Sequence, residues 1–171
     1  MTEEQKTFFD NLDRLGKGER AALRREAGVM LQDAAGSALT AFYRCLPASV
    51  GTVQEAKWFA VACLRCLWEA GEQGGSPLEQ IISRMMKGGD LSASTEHRVE
   101  LLIDTRWDQD GYMLGKLARL IRLVRQKSDR AQIDFPALLE DLLFWNGERQ
   151  TVQRKWARAI FGNQNYEESR E

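Results

Sequence analysis

Residues 112–127 read YMLGKLARLIRLVRQK, and this stretch has the periodicity of an amphipathic α-helix. At about 100° per residue, its aliphatic side chains fall on one arc and its cations fall on the opposite arc. The aliphatic set is Met113, Leu117, Leu120, Ile121 and Val124, and the basic set is Lys116, Arg119, Arg122 and Arg125. The pattern predicts a helix that buries one side in a core and presents a row of positive charge on the other.

Helical periodicity extends over nearly the whole chain, and no alternating β-branched run of useful length occurs. The 3 prolines each stand near a predicted helix end. We therefore expect an all-α fold, a compact bundle of about eight or nine helices, and the breaks at 71–76 and 88–93 leave open whether two sub-bundles pack together. The predicted helices cover residues 2–15, 19–27, 37–46, 53–70, 77–87, 95–105, 112–127, 136–145 and 148–161. Their predicted start signals include Thr2, the Ser76–Pro77 pair, and Ser94 or Thr95.

The length of 171 residues predicts one helical domain over residues 1–162, followed by a polar tail over 163–171. No apolar run approaches the ~18 residues that a membrane span requires, and the first residues are acidic and amphipathic rather than signal-like. The 3 cysteines lie in apolar surroundings, which favours a reducing cytoplasm over a disulfide scaffold.

Charge is segregated along the chain although the net charge is only −1. Basic clusters occur at 14–25, 111–130 and 149–158, and an acidic segment occupies 90–110. Arginine carries planar donors that match phosphate oxygens, so three clusters that merge on the folded surface would bind a nucleic acid backbone. The alternative is a solvated basic face that pairs with the acidic segment.

Residues of catalytic type are present but do not form a recognisable site. Cys63 and Cys66 stand within an apolar helix where both thiols are expected to face the core, and His97 is the single histidine. Asp104, Asp108 and Asp110 lack the spacing of a calcium loop. Neither a phosphate-binding glycine loop nor a serine nucleophile motif occurs, so we predict no enzymatic activity, no metal and no cofactor.

The 5 tryptophans are many for a chain of this length. Four of them occupy apolar helical positions and are predicted to lie in the core: Trp58, Trp68, Trp145 and Trp156. Trp107 precedes a turn, where it either packs or provides a stacking platform for a base.

The C-terminal third carries a resemblance to a known family. Its segments are LARLIRLVRQ (117–126), IDFPALLEDLLFW (133–145) and VQRKWARAIF (152–161), and the N-terminal half adds ALRREAG (22–28) and AFYRCLP (41–47). In order and spacing these resemble the small-subunit family of type I-E CRISPR Cascade, often called CasB.

The resemblance implies a non-catalytic, all-α subunit that binds guide RNA, target DNA and the displaced strand through their backbones. It also implies partners in the backbone filament, the large subunit and a second copy of the chain, with no membrane contact. Carried over by position, the binding residues are Arg24, Arg25, Arg44, Lys57, Arg119, Arg122 and Arg149. The charge pattern itself adds Lys116 and Arg154.

Two other functions remain open at the level of sequence. The chain could be a helical scaffold that binds only protein, docking residues 112–127 on an acidic partner. It could also be a helical DNA-binding regulator, although the turns do not suit a helix-turn-helix and the basic rows lack the polar residues that read base edges.

Overall fold

The structure is a computed structural model that describes residues 1–72 and 74–162. Within these residues the chain forms nine α-helices, a short 3₁₀ turn at Leu31–Asp33 and one isolated parallel bridge between Ser76 and Ile133. The prediction of an all-α fold is confirmed. The helices are α1 (Glu3–Asp13), α2 (Lys17–Arg25), α3 (Gly36–Cys45), α4 (Glu55–Arg65), α5 (Leu78–Lys87), α6 (Ala93–Asp104), α7 (Tyr112–Lys127), α8 (Phe135–Leu143) and α9 (Thr151–Phe161).

Helix α7 has the boundaries and the two faces that its sequence predicts. All five residues of the predicted aliphatic face are buried, and Arg119, Arg122 and Arg125 on the opposite face are exposed. Thr2 also begins α1 as predicted, because its hydroxyl oxygen accepts a hydrogen bond from the Gln5 amide while the Gln5 side chain accepts one from the Thr2 amide.

Several helix ends differ from their predicted positions for identifiable reasons. Helix α6 begins earlier than predicted, because Ser92 rather than Ser94 or Thr95 accepts the capping hydrogen bond, from the Thr95 amide at 3.3 Å. Helix α9 begins at Thr151, since residues 147–150 form a turn in which Gln150 adopts a φ of 49°. Pro77 stands at the cap of α5 rather than in its first turn, and Ser76 pairs with Ile133.

Helix α4 ends at Arg65, five residues before the predicted end. The chain then turns tightly, with the Trp68 amide donating to the Arg65 carbonyl at 3.0 Å. This turn brings the Trp68 indole to the Ala131 carbonyl at 2.9 Å. A buried indole N–H requires such a partner, so a local propensity for helix yields here to a tertiary hydrogen bond.

The helices pack around α4, whose residues 58–65 are all buried. Helix α3 packs against both α1 and α2, and α2 also contacts α4. Helices α5 and α6 pack against α9, and α7 and α8 both contact α4. Edge-to-face aromatic pairs fill both regions, with Phe8 and Trp58 at 4.9 Å in one and Trp145 and Trp156 at 5.3 Å in the other. One continuous core joins the two groups of helices.

The four tryptophans predicted for the core are buried, as expected. Within the described part of the chain, no helix is both long and apolar enough to cross a membrane. The division into a domain at 1–162 and a tail stays a prediction, and residues 163–171 lie outside the described residues.

Candidate nucleic-acid interface

The end of α2 and the middle of α7 approach each other closely. Gly28 follows α2 with a φ of +96°, and a Cβ at this position would lie 3.1 Å from the Cβ of Ala118 on α7. Only glycine adopts this conformation without strain and also leaves this room. The sequence ALRREAG therefore ends α2 at a point where its last turn lies beside α7.

Arg122 joins the two helices directly. Its guanidinium Nη2 donates a hydrogen bond of 2.7 Å to the carbonyl oxygen of Ala27. The exposed Arg24 and Arg25 occupy the last turn of α2, three and two residues before that carbonyl, respectively. Lys116 and Arg119 continue the same side of α7 toward its N-terminus, since residues three apart are neighbours on a helix. We call these five residues the α2–α7 basic face: Arg24, Arg25, Lys116, Arg119 and Arg122.

The α2–α7 basic face is not neutralised by acidic side chains. Among residues 1–72 and 74–162, none of its five cations has a carboxylate oxygen within 4.0 Å. Helix α7 packs against α6, yet within the same residues no cation of α7 pairs with the acidic segment at 90–110. Among the described residues the acidic segment therefore forms no direct ion pair with this face, and the positive charge faces solvent or an external partner.

Arg20 belongs to the same run of basic residues but lies in the interior. It is 7% exposed, and its guanidinium donates to the carbonyls of Leu12 at 3.1 Å and Trp68 at 2.9 Å. Asp13 lies 3.6 Å away. The sequence places Arg20 in a surface cluster with Arg24 and Arg25. The structure corrects this, because Arg20 is buried and donates its hydrogen bonds to backbone carbonyls in the interior.

Arg44 is a candidate that the structure pairs with an acid. Its guanidinium forms an ion pair with Glu19 on α2. Glu19 and Arg24 stand about 140° apart around α2, because five residues advance about 500°. Arg44 therefore lies on the other flank of α2, outside the basic face, and its charge is largely compensated.

Lys57 lies in the first turn of α4 and contacts the end of α8. Its ammonium lies 3.4 Å from the Leu143 carbonyl and the side chain is half-buried. Loss of solvent around the ammonium lowers the pKa of Lys57. Leu143 ends α8, so the contact of Lys57 is with α8 and not with α2 or α7. The structure thus does not bring Lys57 together with the arginines of α2 and α7.

Arg149 and Arg154 form a separate group with α9. Both are exposed, and Arg154 shares an open depression with Arg158. Their neighbour Lys155 differs, because its ammonium pairs with Asp141 and lies 3.6 Å from Glu79. Helix α9 packs against α5 and α6, whereas α2 packs against α3 and α4. That all three basic clusters merge into one track stays a prediction.

Two residues beside the basic face are not among the predicted binding residues, although one of them, Arg125, belongs to the predicted basic row of α7. The Arg125 guanidinium lies 5.7 Å from the centre of the Trp68 ring, which also packs edge-to-face on Phe135. Tyr112, which is 63% exposed, begins α7 with the Lys116 ammonium 4.4 Å from its ring centre. The four-residue spacing of Tyr112 and Lys116 was the sequence signal for this pair.

The cysteines are interior residues, as predicted. Burial raises the pKa of Cys45 to about 12 and that of Cys66 to about 11, and it raises the pKa of Cys63 in the same direction. Thiols with such pKa values stay protonated at neutral pH, so they are poor nucleophiles and poor metal ligands. His97 is exposed on α6, where it lies 3.3 Å from Glu100.

The chain is similar to proteins of one family over most of its length. The family model for CRISPR-associated protein Cse2 matches residues 19–161. The CRISPR-associated protein Cse2 of Thermus thermophilus is 32% identical over 104 residues. That alignment covers 61% of this chain and 55% of the relative, which is little more than half of the relative's length.

Solved structures extend the similarity to the whole fold. A crystal structure of a Cse2-family protein from Thermus thermophilus superposes with a TM-score of 0.76 and 28% identity, covering 95% of this chain and 99% of that chain. A chain from a structure described as a CRISPR RNA-guided surveillance complex, pre-nicking, gives a TM-score of 0.69 and 25% identity over 92% of each chain. The resemblance seen in the sequence is confirmed, and the chain belongs to the CRISPR-associated Cse2 family, whose crystal structures also carry the name CasB.

Proposed function

We propose that this chain is the non-catalytic small subunit of a type I-E CRISPR Cascade complex. In that role it binds nucleic acid backbone without sequence preference, and so stabilises guide RNA–target DNA pairing and the displaced strand. Its partners are the guide RNA, the two DNA strands, the backbone filament, the large subunit and a second copy of itself, all in the cytoplasm. The similarity to a chain of an RNA-guided surveillance complex supports this assignment.

The observation that carries the nucleic-acid part of the proposal is the uncompensated charge of the α2–α7 basic face. Isolated charges on a surface are common, but here two helices from distant parts of the chain are joined by the bond from Arg122 to Ala27. Four of the five residues are arginines that no described side chain engages in an ion pair, and only Arg122 among them donates to a described carbonyl. The guanidinium groups of the other three are without a described hydrogen-bond partner: Arg24, Arg25 and Arg119. Such groups are free to form bidentate hydrogen bonds with phosphate oxygens.

The spacing of these cations suits a polyanion. Lys116, Arg119 and Arg122 follow one another at intervals of three residues, which is about 4.5 Å of helix rise. Phosphates along one strand of B-DNA recur every ~3.4 Å of helix axis, so neighbouring cations meet neighbouring phosphates after small side-chain adjustments. The face lacks the Asn and Gln side chains that read base edges, which favours binding to the backbone.

A protein-only scaffold is the competing function, because a basic face also suits an acidic protein. Two pairs of arginines separate the possibilities. Arg24→Ala with Arg119→Ala removes two cations of the basic face, and Arg84→Ala with Arg98→Ala removes two exposed cations of α5 and α6. Both variants lose the same charge, so any non-specific effect of net charge is matched.

The experiment measures binding of labelled single-stranded DNA and of RNA–DNA heteroduplex by the isolated protein and by the complex assembled with guide RNA. The Arg24/Arg119 variant is expected to bind more weakly and to show a smaller dependence on salt, with a slope reduced by about 0.7 per lost contact on a single strand. The Arg84/Arg98 variant is expected to bind like the wild type. Equal binding by all three proteins would refute the basic face as a contact. Failure of the chain to co-purify with guide RNA and large subunits would refute its place in the complex.

A further inference from the structure

Tyr112 is an exposed aromatic residue that stands in line with the basic row of α7. It is the first residue of the helix and is 63% exposed. Lys116 and Arg119 follow at positions four and seven residues later, which lie on the same face of a helix. An aromatic surface and a row of cations therefore share one side of the molecule.

The position of Tyr112 is fixed by the turn before it. Gly111 adopts a φ of +75°, and a Cβ there would lie 2.8 Å from the Met30 side chain. The Gly111 amide donates to the Asp108 carboxylate at 3.1 Å, and the next residues, Met113 and Leu114, are buried. The chain thus enters α7 in one defined direction, which leaves the Tyr112 side chain outside the core.

The Tyr112 ring is held but not covered. The Lys116 ammonium lies 4.4 Å from its centre, which is a favourable cation–π distance. One small ammonium on a ring that remains largely exposed leaves aromatic surface available to another planar group. The same ammonium is placed to meet a phosphate next to whatever stacks on the ring.

Among residues 1–72 and 74–162, the other aromatic side chains near the surface do not offer this combination. Trp107, which the sequence suggests as a stacking platform, packs against the core, and its backbone exchanges hydrogen bonds with the Asn146 side chain at 2.9 and 2.8 Å. The Tyr43 hydroxyl donates to Glu55 at 2.8 Å. Phe144 is 62% exposed at the end of α8, but no described cation lies over its ring.

We propose that Tyr112 stacks on an unpaired base of single-stranded nucleic acid whose phosphates lie along Lys116 and Arg119. This proposal rests on the proposed function and specifies its ligand, because a base inside a duplex has no free face for the ring. Aromatic side chains beside a positive track are the usual means of holding single strands without sequence preference. Asp108 and Asp110 repel phosphates just beyond Tyr112, so the stacked base marks the end of the track on this side.

The test compares two ligands of equal charge. One is a labelled thymidine oligonucleotide of about 15 nucleotides, and the other is the same backbone made entirely of abasic sites. Binding is measured by fluorescence anisotropy at about 50 mM salt with the full chain, and each variant is checked for an unchanged melting temperature. The proteins are the wild type, Tyr112→Ala, Tyr112→Trp, the control Phe144→Ala, and Arg24→Ala with Arg119→Ala.

Tyr112→Ala is expected to weaken binding of the thymidine strand about 5-fold or more and to leave binding of the abasic strand unchanged. Tyr112→Trp and Phe144→Ala are expected to bind both ligands at least as well as the wild type. If Tyr112→Ala binds the thymidine strand like the wild type while the double arginine variant binds weakly, the stacking role is wrong and the basic face stands. If Tyr112→Ala weakens both ligands equally, the residue acts on the backbone and the stacking role is again wrong. If the wild type binds neither ligand, both proposals fail for the isolated protein.

Discussion

Arg20 and Arg24 stand one turn apart on α2 and have opposite environments. Arg20 is buried, with its guanidinium bonded to two backbone carbonyls, whereas Arg24 is exposed and forms no ion pair with any described side chain. The same contrast recurs between Arg65, which is 4% exposed, and Arg119 on α7. A cluster of basic residues in the sequence therefore contains both buried arginines that bind backbone carbonyls and exposed arginines. Only the exposed arginines are available to a polyanion.

The buried arginines donate hydrogen bonds to backbone carbonyls at the ends of helices and in the loop after α4. Arg65 donates to the carbonyls of Glu69 at 2.9 Å and Glu72 at 3.1 Å, and its ion pair with Asp13 measures 3.0 Å. Burial lowers the pKa of Arg65, and the nearby Asp13 opposes that shift. These groups tie α1, α4 and the loop after α4 together. Substitutions at interior and external positions sharpen the distinction between the two kinds of cation.

Replacing Arg65 with Ala is expected to have the largest effect on stability. It leaves two carbonyls without their donor and removes a buried partner of Asp13, so we expect a loss of about 3–5 kcal/mol in the free energy of unfolding. Urea titration followed by circular dichroism measures the loss. The matched control is Arg24→Ala, which is expected to change this free energy by less than about 0.5 kcal/mol. Similar losses in the two variants would remove the distinction between interior and external arginines.

Replacing Asp141 with Ala tests the corresponding contrast on α9, where Lys155 is paired and Arg154 is exposed. The Asp141 carboxylate accepts a hydrogen bond of 2.8 Å from the buried Trp156 indole and also pairs with Lys155. Its loss leaves the indole N–H unsatisfied, so we expect a destabilisation of about 2–3 kcal/mol. The exposed neighbour Glu140→Ala serves as the control in the same denaturation experiment. A stability equal to that of the control would show that this cluster contributes nothing to the fold.

Arg122 combines both roles, and this makes it the sharpest test within the basic face. Arg122→Ala removes the hydrogen bond to the Ala27 carbonyl and is expected to lower the free energy of unfolding by about 1 kcal/mol as well as to weaken nucleic-acid binding. Arg119→Ala is expected to weaken binding alone. Thermal melts and anisotropy titrations on the same preparations separate the two effects. Identical melting temperatures for both variants and the wild type would mean that the bond between α2 and α7 does not stabilise the fold.

The environment of Glu79 leads us to expect a smaller effect on stability, and this effect depends on pH. Burial raises the pKa of Glu79 above its ordinary value of 4.5, although Lys155 opposes the shift. The folded state therefore holds this proton more tightly than the unfolded state, and stability declines as pH rises through the raised pKa. In the Glu79→Gln variant the side chain at this position is uncharged at every pH. The ion pair of Lys155 with Asp141 is expected to remain in this variant.

We expect the stability of the Glu79→Gln variant to increase relative to that of the wild type as pH rises from acidic to neutral, and to show no such gain below the ordinary pKa of 4.5. Melting temperatures over a range from acidic to neutral pH test this difference, with the exposed Glu148→Gln as control. A gain that is constant over the whole range would show that ionisation of Glu79 is not its source.

Much of the fold could be predicted because the local pattern was strong. The alternation of aliphatic and basic residues in 112–127 is enough to predict both ends and both faces of α7. The side chain of Thr2 is enough to predict where α1 begins. The prediction was weaker where a tertiary contact overrides the pattern. Helix α4 stops early because the Trp68 indole binds the Ala131 carbonyl, which is 63 residues away in the chain.

The sequence predicts which types of residue form the candidate interface and on which helices they lie. It does not predict which individual residues are exposed there. Arg24, Arg25, Arg119 and Arg122 carry the expected charge on the expected helices. Nothing local to Arg20 marks it as buried, since its partners Leu12 and Trp68 come from other elements. The sequence indicates Trp107 as a stacking platform, but in the structure Trp107 packs against the core and Tyr112 is exposed, because the exposure of an aromatic side chain depends on what packs over it.

The sequence by itself determined the helical class, the amphipathic faces and the family, because periodicity and motif order are local properties of the chain. The tertiary structure alone decided which cations share a surface and which satisfy buried carbonyls. The physical reason is that a guanidinium has five donors and will meet either a phosphate or a carbonyl, so its surroundings select its role. Those surroundings arise only when distant segments such as α2 and α7 are brought together by packing.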